Sequence, residues 1–462
     1  MLTPAELAQH VRHHLTVDPA GIADHLTALP DADVADVLND LRTAEAAAVL
    51  DLLPEPRRVR VLAQPTLRRR PAIVEDLEPA KAAALLNRLP ADQRTEIVRQ
   101  FNPHECNRLL PQLAPEARAE VERLLQYPDR SAGGIMTTEF VRLAPDMTVG
   151  QALDRVRQVA RDRDNVYACY VLDPAGKLLG AVSLRDLVVA DPARPVADIM
   201  RRNPVSVNVT DDRVEAARKI GKYNLLAVPV LEADGRAVGF VTVDDVIDVL
   251  VEEQTEDVLR MAAVEPGALD EPYMLTPLPR MVRKRATWLV ILFLGEMLTA
   301  TAMGFFEDEI ARATVLAMFI PLIISSGGNS GSQATSLIIR ALALQEVRLR
   351  DWWRVVRREL ASGLALGAIL GVIGVLRITV WSMIWPTMYT EHWFLVAVAV
   401  GLALVGIVLW GTIAGSMLPF ILKRLGMDPA TSSAPFVATL VDVTGLVIYF
   451  SVAFVILRGT LL

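Results

Sequence analysis

Between Ala286 and Leu462 the chain carries five apolar runs long enough to cross a bilayer, and nothing else in it restricts the fold so severely. A span needs about 20 residues. With no water in hydrocarbon, each must satisfy its backbone internally as a helix. The runs lie at about 288–306, 314–342, 360–376, 393–422 and 433–456, the second interrupted by Gly327, Gly328 and Gly331. The charged residues, 22% of the total, crowd into the first 285 positions, which carry the acidic excess behind the net charge of −7. An acidic balance argues against nucleic acid as a partner. Two cysteines, Cys106 and Cys169, exclude a disulfide scaffold or a Cys-rich zinc site. There is no Walker A sequence, no His-Glu-x-x-His and no nucleophile elbow, so we expect no enzyme.

Loop charges set the orientation. Arg280, Arg283, Lys284 and Arg285 precede the first span, Arg340, Arg348, Arg350, Arg354, Arg357 and Arg358 separate the second from the third, and Lys423 and Arg424 follow the fourth. The alternate loops carry few bases, which places the N-terminal region in the cytoplasm and the C-terminus outside. Trp352, Trp353, Trp381, Trp385 and Trp393 fall near the interfaces. The first 25 residues have no apolar core, so no signal peptide is expected. An odd number of spans has no internal two-fold, and a pore forms more naturally between two copies.

Residues 1–130 read as helices only, punctuated by Pro30, Pro54, Pro90 and Pro111, as in a stacked superhelix. Residues 131–250 contain a repeat. Val171-Leu-Asp-x-x-Gly176 and Ser183-Leu-Arg-Asp186 return as Val230-Leu-Glu-x-x-Gly235 and Thr242-Val-Asp-Asp245. Each copy reads as strand, Gly turn, strand and a helix opened by Ser or Thr, and Met136 and Met200 open the copies. This resembles a tandem CBS pair (131–195 and 196–250). In that family the Ser/Thr-x-x-Asp turn holds a nucleotide ribose, which points to Arg185 and Asp186 and to ATP; a plain capping device is the alternative. From Asp245 to about Ala263 one helix is expected, with Asp245, Asp248, Glu252 and Glu256 on one face and Val246, Ile247, Leu250 and Val258 away from it. That face is either a solvated surface or a cation attractor close to a pore. His10, His13 and His14 have metal-ligand spacing, but a frayed polar terminus is the simpler reading.

Asp442 is the main functional clue. It lies about ten residues into the fifth run, where a carboxylate costs roughly 2.5–3.5 kcal/mol on insertion scales. No Lys or Arg in that run can pair with it, and a hydrated cation would. Ala438 one turn earlier, with Thr439 and Gly445, leaves room for a large ion. The second run offers Ser325, Gly328, Asn329 and Ser332. Polar and Gly residues at this depth line a cavity or pack helices closely. Oxygen donors with one carboxylate suit Mg²⁺, which sheds water reluctantly. Glu296 is a second acid, in the first run, whose role stays open.

Taken together the chain resembles the MgtE family of magnesium transport proteins, most specifically in Ser131-Ala-Gly-Gly-Ile-Met-Thr-Thr-Glu139, Gly327-Gly-Asn-Ser-Gly-Ser-Gln333, Ser336-Leu-Ile-Ile-Arg340 and residues 435–449. The resemblance implies a multidomain fold: an all-α N-terminal superhelix (1–130), an α/β tandem CBS pair (131–250), a plug helix region (251–285) and an α-helical transmembrane bundle of five spans (286–462). It further implies a homodimeric Mg²⁺ channel in the lipid of the inner membrane, its pore at the dimer interface, with paired Asp442 carboxylates and the Ala438 backbone holding hydrated Mg²⁺. Ala434, where the family often has Asn, falls at the mouth. The family is regulated by Mg²⁺ bridging acids of the N domain, CBS pair and plug helix. Glu256 and Asp257 match the plug acids, and Asp245 and Asp248 the CBS acids. The N-domain stretch expected to present aspartates four apart reads His104-Glu-Cys-Asn-Arg108, and Asn224 stands where the family often has an acid, so weaker locking is expected, with either a higher closing threshold or regulation shifted to the plug helix. The rivals are a transporter of another divalent ion, Mn²⁺ or Co²⁺, and a membrane-anchored CBS nucleotide sensor.

Overall fold

The computed structural model describes residues 4–14, 19–160, 168–265, 273–274, 276–385 and 392–461. The side chains of His10 and His14 lie outside the described residues. The chain divides into two compact units, one reaching Glu253 and the other continuing from Gln254.

In the first unit, short helices from Pro4–His14 to Pro115–Leu124 each pack on the next but one, so one apolar core runs from Ala8 to Val121. Proline sets the period. Pro30, Pro54 and Pro90 occupy N-cap positions, while Pro79, Pro103 and Pro115 open helices, where a missing N–H costs nothing.

Two small mixed sheets follow. In one, Val141–Leu143 runs parallel to Ala168–Leu172, which pairs antiparallel with Leu178–Ser183, and Arg201–Arg202 closes the edge. In the other, Val207–Asn208, Ala227–Leu231 and Ala237–Thr242 repeat the pattern. Gly176 and Gly235 turn the hairpins at φ +84° and +83°. The two hairpin turns also bond each other, Leu178 N to Gly235 O and Ala237 N to Gly176 O.

The segments that open the copies are exchanged. Ser131–Thr137 pairs with the second copy, and Met136 sits in that copy's core against Gly239. Met200 in turn packs over Gly180 of the first sheet. A Cβ on either glycine would lie 2.8 Å from a methionine sulfur. Sequence order alone therefore misassigns both methionines: each belongs physically to the other copy.

The helix Val243–Met261 starts from the second sheet. It buries Val246 and Val249 and exposes Ile247, Leu250 and Val258.

In the second unit five helices are long and apolar enough to span a membrane: Leu278–Phe305, Thr314–Ala343, Leu349–Ile384, Trp393–Arg424 and Ala434–Leu457. The third is longer at both ends than its apolar run. The second is not interrupted at its glycines, since Ile320–Ala343 is one continuous helix. Gly327 and Gly331 instead let it meet the fourth span at backbone distance. A Cβ on Gly411 would lie 2.5 Å from Gly327 O, and one on Gly415 2.2 Å from Gly331 O. Thr335 Oγ1 joins this seam by donating to Gly331 O or Gly415 O, at 2.9 and 2.8 Å. Close packing, not freed carbonyls, explains these two glycines.

Candidate cation sites

The fifth span begins in a tightly capped turn. Asp428 Oδ1 accepts from Ala430 N at 2.8 Å, and Ser433 Oγ accepts from Phe436 N at 3.3 Å. From there Ala434, Ala438 and Asp442 recur at one-turn intervals on a half-exposed face. The second span lies against that face. Ser332 Oγ donates to Ala434 O at 3.1 Å, and a Cβ on Gly328 would lie 3.4 Å from Ala438 Cβ and 3.6 Å from Asp442 Oδ1. Ser332 and Ala434 thus bond each other at the mouth of this seam. Beside it the second span exposes Ser325, Asn329 and Gln333, with Asn329 Nδ2 donating to Ser325 Oγ at 3.4 Å. A polar stripe half-way along a membrane helix requires water or a second protein surface against it.

Thr439 faces elsewhere. Its Cγ2 meets Gly295 of the first span, and its Oγ1 donates to Pro435 O at 3.1 Å. Glu296, next to that contact, is exposed and close enough to Asp442 for the two carboxylates to interact. Among the described residues no three His, Cys, Asp or Glu side chains converge as a metal set. A single copy therefore offers an ion the Asp442 carboxylate, with Glu296 near it, and a set of side-chain oxygens, donors suited to an ion that keeps its water.

A second acidic site forms within the first unit. Asp245 caps its own helix: its Oδ2 accepts from Thr242 N and Oγ1 at 3.0 and 2.6 Å. Asp92, in the N-domain helix Ala91–Arg99, faces it. Asp92 Oδ1 is buried without a hydrogen-bond partner, and neither carboxylate forms a salt bridge among the described residues. Burial, then repulsion by Asp245, pushes Asp92 up to about 7. Burial likewise pushes Asp245 up to about 6. One turn along each helix, Glu96 and Asp248 are neighbours, and Arg70 stands with them, 2.7 Å from Glu96. Burial raises Asp248 and Arg70 lowers it, with burial the larger effect.

Asp92 and Glu96 are the acids four apart that the sequence reading sought at 104–108. That stretch is engaged inside the N domain instead, with Glu105 bonded to Arg108 at 2.5 Å and beside Glu75. The 104–108 stretch thus does not supply acids toward Asp245 and Asp248, whereas Asp92 and Glu96 do. Asn224 serves as a left-handed helix cap at φ 52°, a conformation Asn tolerates. Asp92 and Glu96 were missed because an acid pair at i, i+4 is common; only the helix placed opposite gives it meaning.

The remaining predicted acids part company along the helix. Arg213, 5% exposed, holds Glu252 at 2.8 Å and Glu253 at 2.8 Å. Glu256 accepts from Arg260 at 2.8 Å, and Arg260 also bonds Asp428, in the cap that starts the fifth span. Asp257 is half-buried nearby. In the first CBS copy Ser183 Oγ accepts from Asp186 N at 3.1 Å while Arg185 is exposed. The capping function of that turn is thus realised through the Asp186 backbone, not its carboxylate.

Comparison with known proteins adds three family matches: the MgtE divalent cation transporter over residues 320–452, the MgtE intracellular N domain over 29–130, and the CBS domain over 132–192 and 196–252. A magnesium transporter MgtE of Thermus thermophilus is 43% identical over 362 residues, 78% of each chain. One of Enterococcus faecalis is 36% identical over 344 residues, 74% of this chain and 73% of that one. Among solved structures, the cytosolic domain of the Mg²⁺ channel MgtE in complex with ATP is 35% identical with a TM-score of 0.49, covering 52% of this chain and 99% of that one.

Proposed function

The chain belongs to the MgtE family, and from that premise we propose that it passes hydrated Mg²⁺ through a pore formed between two copies, gated by cytosolic Mg²⁺. Transport of Mg²⁺ is supported by magnesium transporters that match over 72–78% of their length. The observation that carries the pore is the seam of Gly328, Ala438 and Asp442 beside the exposed stripe Ser325, Asn329 and Gln333. A two-fold axis along this seam brings a second Asp442 to face the first, and two carboxylates at that spacing offset the charge of one ion without stripping its water. The low-dielectric wall strengthens that attraction. The chain then lies in the inner membrane with its acidic N-terminal units in the cytoplasm.

Gating rests on Asp92 with Asp245 and on Asp257. Mg²⁺ bound between Asp92 and Asp245 favours the state in which N domain and CBS pair are apposed, and it shifts the gate only by its preference for that state. At the adjoining pair Arg70 supplies the positive charge itself. ATP is a ligand for the first CBS turn, where Arg185 and Asp186 offer a guanidinium for phosphate and a carboxylate for ribose.

The test is Mg²⁺ uptake into liposomes carrying the purified protein, with cobalt(III) hexaammine as inhibitor. Its fixed ligand shell matches hydrated Mg²⁺ in size. Block by the hexaammine supports passage of the hydrated ion. Uptake insensitive to it and preferring Mn²⁺ or Co²⁺ would transfer the protein to the alternative ion class.

A further inference from the structure

The loop between the second and third spans holds a feature the ion path does not use. The ends of three spans meet there in a small apolar core of Ile338, Leu342, Val355 and Phe420, with Val347 and Met417 against it. Around this core the bases gather. Arg348 and Arg350 lie in the turn, Arg354, Arg357 and Arg358 share one face of the first turns of Trp352–Ile384, and Arg424 follows Phe420 by one turn. All six are exposed. The local acids answer only part of this charge. Arg354 stands 3.5 Å from Asp351, whose carboxylate also caps Arg348 N at 3.1 Å, and Glu346 is engaged by Arg340 at 3.6 Å. Arg350, Arg357 and Arg358 form no salt bridge among the described residues, although the half-buried Glu359 carboxylate lies close enough to Arg358 to interact with it.

Two tryptophans fix the level of this patch. Trp352 and Trp353 stack edge to face at 5.5 Å and are 51% and 56% exposed. Beyond the arginines and Glu359, the stretch from Leu360 to Leu376 is apolar apart from Ser362, exposing Leu360 and Leu364. Trp353, Arg357 and Leu364, at i, i+4 and i+11, follow one another along one face as indole, guanidinium and hydrocarbon, the sequence of environments met in passing from headgroups into acyl chains. Arginine's planar fork pairs bidentately with phosphate oxygens.

We propose that this face is a binding site for the phosphate headgroup of an anionic phospholipid, with Arg354, Arg357 and Arg358 as its principal donors. The choice of a lipid over a soluble anion rests on the exposed Leu360 and Leu364 directly below, which supply an acyl-chain contact. Orientation of the protein needs only some positive charge on this loop; the site needs three guanidiniums on one helical face. The inference is independent of which ion the pore carries.

The test is native mass spectrometry of the full-length protein in detergent, offered equal amounts of dioleoyl phosphatidylglycerol and dioleoyl phosphatidylcholine. Wild type is expected to retain phosphatidylglycerol with at least about tenfold preference, since each base near an anionic headgroup contributes about fivefold. R354Q/R357Q/R358Q is expected to lose the preference, the double variant R357Q/R358Q to show an intermediate one, and the triple lysine variant to keep only part of it, its ammoniums supplying charge without the bidentate fork. An unchanged preference in both glutamine variants would overturn the proposal. So would displacement of the lipid by millimolar inorganic phosphate, which would mark a soluble-anion site. Loss of dimer in the glutamine variants at unchanged lipid preference would instead make the face a contact between copies.

Discussion

Asp92 and Asp245 show how far a single residue's meaning depends on what folding places beside it. Each is an ordinary acid near a helix start, yet together they are buried and repel one another. Both titrate above the usual range near 4, so the apposed state holds protons that separated domains release. Its stability falls as pH rises through 6 to 7, and above that window only a cation offsets the repulsion. The apparent Mg²⁺ affinity of the junction, read by protease protection of the N domain, should therefore tighten about three- to tenfold from pH 6 to 7.5, as bound protons cease to compete. Asp92→Asn should flatten that dependence; an unchanged slope would remove the pair from regulation. The glycines of the second span separate in a similar way. Gly415→Val would drive a methyl into Gly331 O, 2.2 Å from the ideal Cβ, and should cost at least the 1–3 kcal/mol typical of overpacking, about several degrees in thermal unfolding. Gly328→Ala adds a Cβ 3.4 Å from its nearest neighbour. It should fold normally and lower ion flux, because it narrows the space beside Asp442.

At the scale of elements, five spans, a helical array and a doubled α/β unit were legible because each rests on a pattern repeated along the chain. The apolar runs, the proline period and the recurrence of Val171–Asp186 at Val230–Asp245 all qualify. Exchange of the opening segments was not legible, since Met136 and Met200 carry the same pattern whichever sheet they join. Nor was the division of acids along Val243–Met261, which depends on where Arg213, Arg70 and Arg260 arrive. The third of these has a mechanical consequence. Arg260 ties Glu256 to Asp428, and Asp428 caps the turn from which the Asp442 helix starts. A half-exposed pair of this kind contributes only about 1 kcal/mol, but it joins the helix Val243–Met261 to the turn that starts the fifth span. Arg260→Ala and Asp428→Asn should each raise residual flux at high cytosolic Mg²⁺ by a few-fold. The double variant should do no more than either alone. Additive effects would separate the two residues.

For the whole molecule, one copy presents the Asp442 carboxylate, a small-residue seam and an exposed polar stripe, which the proposed dimer would complete into a site. In a background lacking Cys106 and Cys169, Asn329→Cys should form disulfide-linked dimers in membranes, whereas Phe394→Cys, exposed on the fourth span, should not. The Asp442 path itself is most directly tested by Mg²⁺ flux into liposomes with the ion on one side, comparing wild type with Asp442→Ala. We expect flux in wild type and its loss in the variant, with the dimer intact in both. Equal flux through the two proteins would contradict a path past Asp442.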